Sequence, residues 1–231
     1  MGQKHGYSLI RSRKRRRTIS LRIMPDGRAV IRAPIRTPQR EIDSFFKAKS
    51  EWVQKKLLER ERLQQKDGET PKRFIAGDKF LFLGEWYPLE IESMNGRKTP
   101  LSLLWSTFVL DEHRAGEAKE LFVKWYKMEA KRLFAERVSH YSKKLLLSPN
   151  GVKITSAQFR YGSCSPDNSL CFSWRLIMAP LTIIDYIIIH ELVHIKEKNH
   201  SKRFWSSVAA AMPDYRSHRL WLKKHAHLLI V

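Results

Sequence analysis

The alternation of apolar and polar side chains divides the chain into a strand-rich first part and a mainly helical second part. Apolar residues alternate with polar ones from Thr18 to Ile23, as in a strand with one buried face, and residues 29–33 have the composition of a returning strand. After Thr37 the apolar positions recur at helical spacing until about Gln65, which predicts one helix. Short apolar runs from Phe74 to Ile91, separated by glycine-containing turns, predict a small antiparallel meander.

The second part contains longer periodic stretches. Residues 117–147 contain no proline and keep a helical spacing of apolar positions, which predicts one long amphipathic helix. We expect two strands after it, at residues 152–160 and 169–174, joined by a turn at residues 166–168. Three helices should follow, near residues 181–198, 201–211 and 214–227. The expected fold class is α+β, with a strand-rich N-terminal region of residues 1–100 that holds one helix and a second, mainly helical region of residues 101–231.

The strongest chemical signal lies in the segment IIDYIIIHELVHIKEKNH, residues 183–200. His190 and His194 are one helical turn apart, so their side chains share one face, about 5–6 Å apart at Cβ, and can bind one ion. Glu191 can reach an attacking water without ligating the metal, which is what a general base must do. The apolar residues before His190 predict that the helix is buried, and the whole pattern indicates a zinc hydrolase.

The identity of the third ligand depends on where this helix ends. Glu197 lies three residues after His194 on the same helical face, but three ligands along one straight helix approach an ion from nearly one side. If the helix ends near Lys198–Asn199, the chain can turn back and present His200, ten residues past His190. We therefore expect His190, His194 and His200 to hold Zn²⁺ or another divalent transition metal, with Glu197 or a distant residue as the alternatives.

Charge and composition narrow the choice of partners. The chain has 231 residues, 44 Lys+Arg against 23 Asp+Glu and a net charge of +21, which favours an anionic substrate, a nucleic acid or a nucleic-acid-associated protein. No apolar run approaches the roughly 20 residues of a membrane span, so no membrane partner is expected. Two cysteines, Cys164 and Cys171, are too few for a disulfide scaffold, and no signal peptide is evident, so we expect a cytoplasmic protein.

Three long segments carry a resemblance to a known family: IRSRKRRRTISLRIMPDGRAVIRAP near the start, RYGSCSPDNSLCFSWRLIMAPLTIIDYIIIHELVHIKEKNHSKRFW in the centre and MPDYRSHRLWLKKH near the end. They resemble the YgjP-like metal-dependent hydrolases, with Tyr161 standing where that family usually has tryptophan. The resemblance implies a zincin-like catalytic helix, a metal held by His190, His194 and His200, and Glu191 as the catalytic acid/base. It also implies metallopeptidase or UTP pyrophosphatase activity, and a core similar to that of SprT-like and Wss1-like proteases, which act on proteins attached to DNA.

The segment RYGSCS, residues 160–165, supplies candidate substrate-binding residues. Its small residues, Gly162 and Ser163, would let an extended substrate approach a strand edge beside the catalytic helix; alternatively, Gly162 serves only the conformation of a tight hairpin. Arg160 and Arg175 flank this hairpin and are candidates for holding a phosphate or a carboxylate, although packing arginines are the more common case.

Two other basic features are expected to lie at the surface. The run Arg11–Arg17 has six basic residues in seven, and because a strand pattern continues through it, we predict a basic sheet face that nucleic acid or a nucleotide could use. His218, His225 and His227 near the C-terminus are interpreted as surface residues.

Three functions remain open at this point. A metallopeptidase, with Glu191 as general base, is favoured by the His-Glu-x-x-His pattern. A nucleoside triphosphate (UTP) pyrophosphatase is favoured by the charge, but the chain lacks a Gly-rich phosphate loop and a carboxylate cluster for magnesium. A nucleic-acid-associated protease or binding protein is the third hypothesis; a purely structural metal would not need a base such as Glu191 beside it.

Overall fold

The fold is α+β, as expected, and its contacts divide it into two compact units, residues 1–71 and 72–231. The computed structural model describes residues 6–24, 27–66, 72–93, 99–158 and 160–230. The sequence placed a boundary near residue 100. The contacts place residues 72–100 with the catalytic unit because Phe80 and Leu89 are buried in the same core as Phe122 of the long helix.

The N-terminal unit contains a three-stranded sheet in the order β1-β3-β2, with strands β1 (Ser8–Ser12), β2 (Ser20–Ile23) and β3 (Ala29–Pro34). β2 pairs with β3 in antiparallel register, so the predicted hairpin is present, while β1 runs parallel to β3. Ile31 and Ala33 are fully buried beside Ile42 of the following helix. The alternation in this part of the sequence therefore identifies the face that forms the core of the unit.

Two predicted features of the N-terminal unit differ in the structure. The expected single helix is divided into α1 (Gln39–Ala48) and α2 (Ser50–Lys66), because the chain leaves helical geometry at Lys49, where the Ser50 hydroxyl donates to the carbonyl of Lys47. The basic run was expected to continue as a strand, but β1 ends at Ser12 and β2 begins at Ser20. Its remaining basic residues, Arg13–Arg17, therefore lie in the connection between the two strands.

The catalytic unit begins with a four-stranded sheet in the order β4-β5-β7-β6, formed by β4 (Lys79–Phe82), β5 (Glu85–Glu92), β6 (Leu101–Leu104) and β7 (Thr107–Asp111). β4 and β5 form the predicted antiparallel pair. β5 also pairs with β7 in parallel, so the sheet is mixed rather than a simple meander.

The long predicted helix, α3 (Ala118–Leu145), packs against this sheet through aromatic side chains. The rings of Phe80 and Phe122 stack with centroids 3.8 Å apart. The helix ends where Leu146 adopts a left-handed conformation (φ 53°), two residues before Ser148, close to the predicted end.

A second sheet follows, in the order β8-β10-β9, with β8 (Gly151–Thr155), β9 (Gly162–Cys164) and β10 (Ser169–Ser173). The predicted strand at 152–160 is wrong in its second half: β8 ends at Thr155, and the separate short strand β9 makes the hairpin with β10. β8 instead runs parallel to β10. This arrangement leaves β9 at the edge of the sheet.

Three helices complete the unit: α4 (Leu181–Val193), α5 (Lys202–Ala211) and α6 (Tyr215–His225). Every residue of α4 from Ile183 to Ile189 is buried, as the apolar sequence predicts. This helix is covered by α3, α5, α6 and β9, which explains why it has apolar side chains on all sides. Within the described part of the chain, each helix is too short or too polar to cross a lipid bilayer.

Candidate metal centre

Three histidine side chains converge at the end of α4. His190 and His194 are separated by one helical turn, and His200 returns to them from the loop that follows. One ring nitrogen of each lies within 4.8 Å of the others, and Nε2 of His200 is 3.0 Å from Nε2 of His190. This convergence is the one that the sequence spacing predicts for His200.

The chain brings His200 back because α4 ends earlier than expected. The helix ends at Val193 rather than near Lys198, and His194 occupies its C-terminal cap. The amide nitrogens of Lys196 and Glu197 both donate to the carbonyl of Val193, which forms a tight turn. Lys198 then donates to the side-chain oxygen of Asn168 in the β9–β10 turn (2.6 Å), which anchors the loop that carries His200.

Glu197 serves the site through its backbone rather than its carboxylate. Nδ1 of His194 donates to the Glu197 carbonyl at 2.9 Å, so Nδ1 carries a proton and Nε2 is the atom that a metal could use. Among the described residues, the group with metal-ligand geometry contains the three histidines and not the Glu197 side chain. The geometry therefore favours His200 over the alternative, Glu197, as third ligand.

An aromatic side chain lies beneath the three histidines. Phe204 of α5 is fully buried, and its ring centroid is 4.8, 4.5 and 4.7 Å from those of His190, His194 and His200. The position of Phe204 is fixed by the start of α5, where the Ser201 hydroxyl accepts a bond from the Phe204 amide. The triad is thus supported by the core on one side.

The donor atoms fit a divalent cation. Burial, followed by the nearby His194 and His200, lowers the pKa of His190 to about 3, so its ring is neutral at pH 7 and keeps a lone pair for a metal. Nδ1 of His190 is buried and, in the described part of the chain, has no hydrogen-bond partner. Three imidazole rings that bring one nitrogen each to a common point are the donor set that transition metals prefer.

Glu191 lies beside the triad and is held by β9. Its side chain is only 6% exposed, and it accepts a hydrogen bond from the backbone N–H of Cys164. Burial raises the pKa of Glu191 to about 7, against the opposing effects of the Arg160 charge and of the Cys164 amide. A carboxyl group with a pKa near neutrality can both accept and return a proton at physiological pH.

Gly162 makes room for Glu191. A Cβ atom at position 162 would lie 2.6 Å from both Cγ and Oε1 of Glu191, closer than real Cβ contacts allow. The backbone φ of Gly162 is not positive, so the alternative in which this glycine serves only the hairpin conformation is wrong. Glycine is needed here because the strand backbone lies directly against the carboxylate.

Comparison with known proteins agrees with this site. The family model described as the YgjP-like metallopeptidase domain matches residues 17–225. The chain belongs to the YgjP-like family. The resemblance in the sequence is confirmed, and the YgjP-like protein is a metal-dependent hydrolase whose family implies a divalent metal.

The other comparisons add little to the family match. No curated protein matches the YgjP-like chain. Among solved structures, the metallopeptidase zymogen of Pyrococcus abyssi abylysin is 21% identical in a match that covers 39% of this chain and 93% of that chain, with a TM-score of 0.36. A likeness of that extent carries no argument about the site.

The four candidate substrate-binding residues of this YgjP-like protein have different environments. Gly162 contacts Glu191, and the exposed Arg160 is close enough for its charge to act on that carboxylate. Ser163 is half-buried opposite Cys171. Arg175 donates to the carbonyl of Ser156 and lies 4.3 Å from the Trp174 ring. The structure brings Arg160 and Gly162 to the site; a substrate contact by any of the four stays a prediction.

Arg219 of α6 is near the triad and was missed in the sequence. Its guanidinium is 5.2 Å from the ring of Trp205, which lies 5.8 and 5.7 Å from the rings of His190 and His200, and its charge acts on both histidines. The available signal was helical spacing: Tyr215, four residues earlier on the same face, also stacks on Trp205.

The C-terminal histidines are more enclosed than their polar sequence context suggests. His218 is 3.0 Å from Asp214 and only 12% of its side chain is exposed, and Nδ1 of His225 donates to the Trp221 carbonyl at 2.9 Å. His227 is buried, so its assignment to the surface is wrong. The reason is that the 3-10 turn after α6 folds the end of the chain back against the core.

Proposed function

We propose that this protein is a zinc-dependent metallopeptidase in which Glu191 is the catalytic acid/base. The observation that carries the proposal is the convergence of three histidines beside a buried carboxyl group whose pKa is raised to about 7. His190, His194 and His200 would hold the cation, which supplies Lewis acidity that polarises the substrate carbonyl and makes water more acidic.

The residues of this chain carry the proton transfers. Glu191 takes a proton from the attacking water and returns it to the leaving amide nitrogen, so one carboxyl group acts first as base and then as acid. The raised pKa suits both steps, and the Cys164 amide orients the carboxylate. The hydrophobic wall formed by Phe204 and α4 limits access of bulk water to this side of the site.

The edge position of β9 supports a peptide substrate. One side of β9 pairs with β10, and the other side has no strand partner among the described residues. An extended peptide could add to this edge by main-chain hydrogen bonds, next to Glu191. Such pairing would position the scissile bond without requiring a particular side chain.

A nucleoside triphosphate pyrophosphatase is the second candidate, and a specific observation favours it. Arg160 acts on Glu191 from one side, and Arg219 acts on His190 and His200 from another. Two guanidinium groups around a metal would stabilise the charge that develops on a transferring phosphoryl group. The same arginines would also suit a peptide with an acidic residue or a terminal carboxylate.

A direct test compares wild-type and Glu191→Gln protein, both loaded with zinc, on an unfolded protein substrate and on UTP. We expect peptide hydrolysis by the wild type and a loss of about 10²-fold or more in the variant, which cannot accept a proton. Glu136→Gln, the same chemical change on an exposed part of α3, is the control and should retain full activity.

The substrate pattern separates the two candidates. Pyrophosphate release from UTP that depends on Glu191, without peptide cleavage, would replace the peptidase by the pyrophosphatase. Equal activity of wild type and Glu191→Gln on either substrate would remove Glu191 from the mechanism.

The ligand set is tested by metal content. His200→Ala should lower the amount of zinc retained after dialysis and weaken its affinity by at least about tenfold, because one of three protein ligands is lost. The control is His113→Ala, because His113 is exposed and is far from the three histidines in the sequence. Full zinc retention by His200→Ala would assign the third ligand to another residue.

A further inference from the structure

The positive charge of the N-terminal unit is concentrated in its first 40 residues. Residues 1–40 contain 12 Lys+Arg and a single acidic residue, Asp26, whereas residues 41–71 contain seven of each. Residues 41–71, which include most of α1 and all of α2, therefore have no net charge, and the charge excess of this unit comes from the strands, their connections and the start of α1. A charge distribution that serves solubility alone has no reason to be so uneven.

The densest part is the connection between β1 and β2, which we call the basic segment, Arg13–Arg17. Its neighbours hold it in place: Arg11 donates to the carbonyls of Ile35 and Thr37, and Arg15 donates to Thr18. The other four basic side chains are exposed: Arg13, Lys14, Arg16 and Arg17. Within the described ranges, no acidic side chain pairs with these four, so their charge is available to an external anion.

The basic surface extends beyond this segment. Arg28 precedes β3 and Arg36 follows it, and both are exposed. Six strand residues at about 3.3 Å each place these two arginines on the order of 20 Å apart. That distance is longer than one nucleotide but matches several successive phosphates of a nucleic acid, at about 3.4 Å of helix axis per phosphate of one strand.

The types of residue favour a phosphate backbone over other anions. Ten of the 12 basic residues are arginines, whose planar guanidinium binds phosphate through two hydrogen bonds. Residues 11–18 contain no apolar side chain that could enter a lipid surface. The sole aromatic residue of positions 1–40, Tyr7, is buried, so this surface offers no ring on which an unpaired base could stack.

We propose that the N-terminal unit binds nucleic acid, with the basic segment on the phosphate backbone of a duplex, independently of base sequence. Arginines without stacking rings or a groove-reading helix contact phosphates and not bases. The proposal rests on the charge and exposure of this unit alone, and it does not depend on the hydrolase function. The duplex can be DNA or RNA, since both present the same phosphate chemistry.

The test uses the full chain and a four-alanine variant, Arg13→Ala, Lys14→Ala, Arg16→Ala and Arg17→Ala. The matched control removes four exposed lysines from α3: Lys119→Ala, Lys124→Ala, Lys127→Ala and Lys131→Ala. Fluorescence anisotropy measures binding to a short DNA duplex of two unrelated sequences, to the equivalent RNA duplex and to a single strand, over a series of salt concentrations.

We expect the four-alanine variant to bind either duplex at least about tenfold more weakly than the wild type. The slope of log affinity against log salt concentration should become less steep by up to about 0.9 for each phosphate contact that is lost. The control should change affinity less than about threefold. Circular dichroism checks that both variants are folded. A second variant, Arg13→Lys, Arg16→Lys and Arg17→Lys, retains the charge and should keep most of the salt dependence.

Other results would contradict the proposal that the basic segment binds the phosphate backbone of a duplex. An equal loss in the α3 control would show attraction by total charge rather than by the basic segment. Tighter binding to the single strand, or to one of the two DNA sequences, would overturn the backbone-only assignment. Binding to vesicles of anionic lipid with a stronger dependence on the four residues than the duplex shows would replace nucleic acid by a membrane surface. Comparable affinity for DNA and RNA duplexes is expected; preference for one would name the natural duplex.

Discussion

The two ends of α4 carry buried carboxylates with the same exposure and opposite surroundings. Asp185 and Glu191 are each 6% exposed. Arg137 donates to both oxygens of Asp185, at 2.7 and 2.6 Å, and the Tyr141 hydroxyl adds a bond of 3.0 Å. Glu191 accepts one hydrogen bond from a backbone amide, and this bond and the charge of Arg160 oppose the effect of its burial without offsetting it.

The difference shows that partners, rather than burial, decide what a buried carboxylate can do. The carboxylate of Asp185 is held in a paired state, and the same pair raises the pKa of Arg137, so Asp185 serves to fasten α4 to α3. Glu191 is left with a pKa of about 7 and can exchange a proton. Along one helix, the first carboxylate stabilises the fold and the second is available for chemistry.

The largest effect is expected from Gly162→Ala, which disturbs only the Glu191 end. The added methyl group would lie 2.6 Å from the Glu191 side chain, so the carboxylate must move. We expect activity to fall by about 10²-fold or more, the contribution of a general base, while zinc content and melting temperature change little. Steady-state kinetics and metal analysis of the same preparation provide the measurement.

Gly151→Ala is the matched control for this substitution. Gly151 lies in the same sheet, and a Cβ there would contact nothing within 4 Å. Full activity of Gly162→Ala would mean that β9 does not position Glu191.

The next largest effect is expected from a substitution at Asp185, near the start of α4. Asp185→Asn leaves the Arg137 guanidinium without its counter-charge, and breaking a buried pair typically costs 3–5 kcal/mol. Because 20% of the Arg137 side chain is exposed, we expect about 2–4 kcal/mol lower free energy of unfolding in urea titrations. Glu136→Gln, at an exposed pair, should leave the unfolding midpoint unchanged. A stable Asp185→Asn variant with reduced kcat would instead assign Asp185 to the reaction.

The smallest predicted effect is an increase in stability, caused by the substitution Glu191→Gln. In metal-free protein, the folded-state pKa of Glu191, about 7, exceeds its ordinary value of 4.5, so its protonation stabilises the fold below pH 4.5 and that stability is lost as pH rises through 7. Glu191→Gln removes this pH-dependent loss and should be more stable than the wild type by about 2–3 kcal/mol at pH 8, with little difference at pH 4.5. Urea unfolding in the presence of a chelator measures both values. Equal stability at the two pH values would show that Glu191 titrates normally.

Periodic patterns predicted the long elements of this fold and local spacing predicted the triad. The helix around residues 117–147 and the apolar α4 follow from apolar spacing over many residues, and His190, Glu191, His194 and His200 were identified from their separations along the chain. These features depend on neighbours in sequence. The same is true of the hairpin formed by β2 and β3.

Features that depend on distant neighbours could not be predicted from the sequence. The contact of Gly162 with Glu191, and the approach of Arg219 to the triad through Trp205, join segments far apart in the chain. The early end of α4 also depends on such contacts, since Lys198 is tied to Asn168 of the β9–β10 turn. The break at Lys49 had no proline or glycine to indicate it.

The burial of α4 on every side determines where this protein can vary. A substitution at Ile184, Ile188 or Ile189 must fit several neighbours at once, so a scan of all single variants should find these positions nearly invariant. Trp105, fully exposed at the tip of the β6–β7 hairpin, should accept most replacements other than proline and the β-branched residues, which its positive φ (55°) disfavours. New substrate preferences would therefore have to arise from the exposed residues around the triad, such as Arg160 and Arg219, while the helix that carries the histidines stays constant.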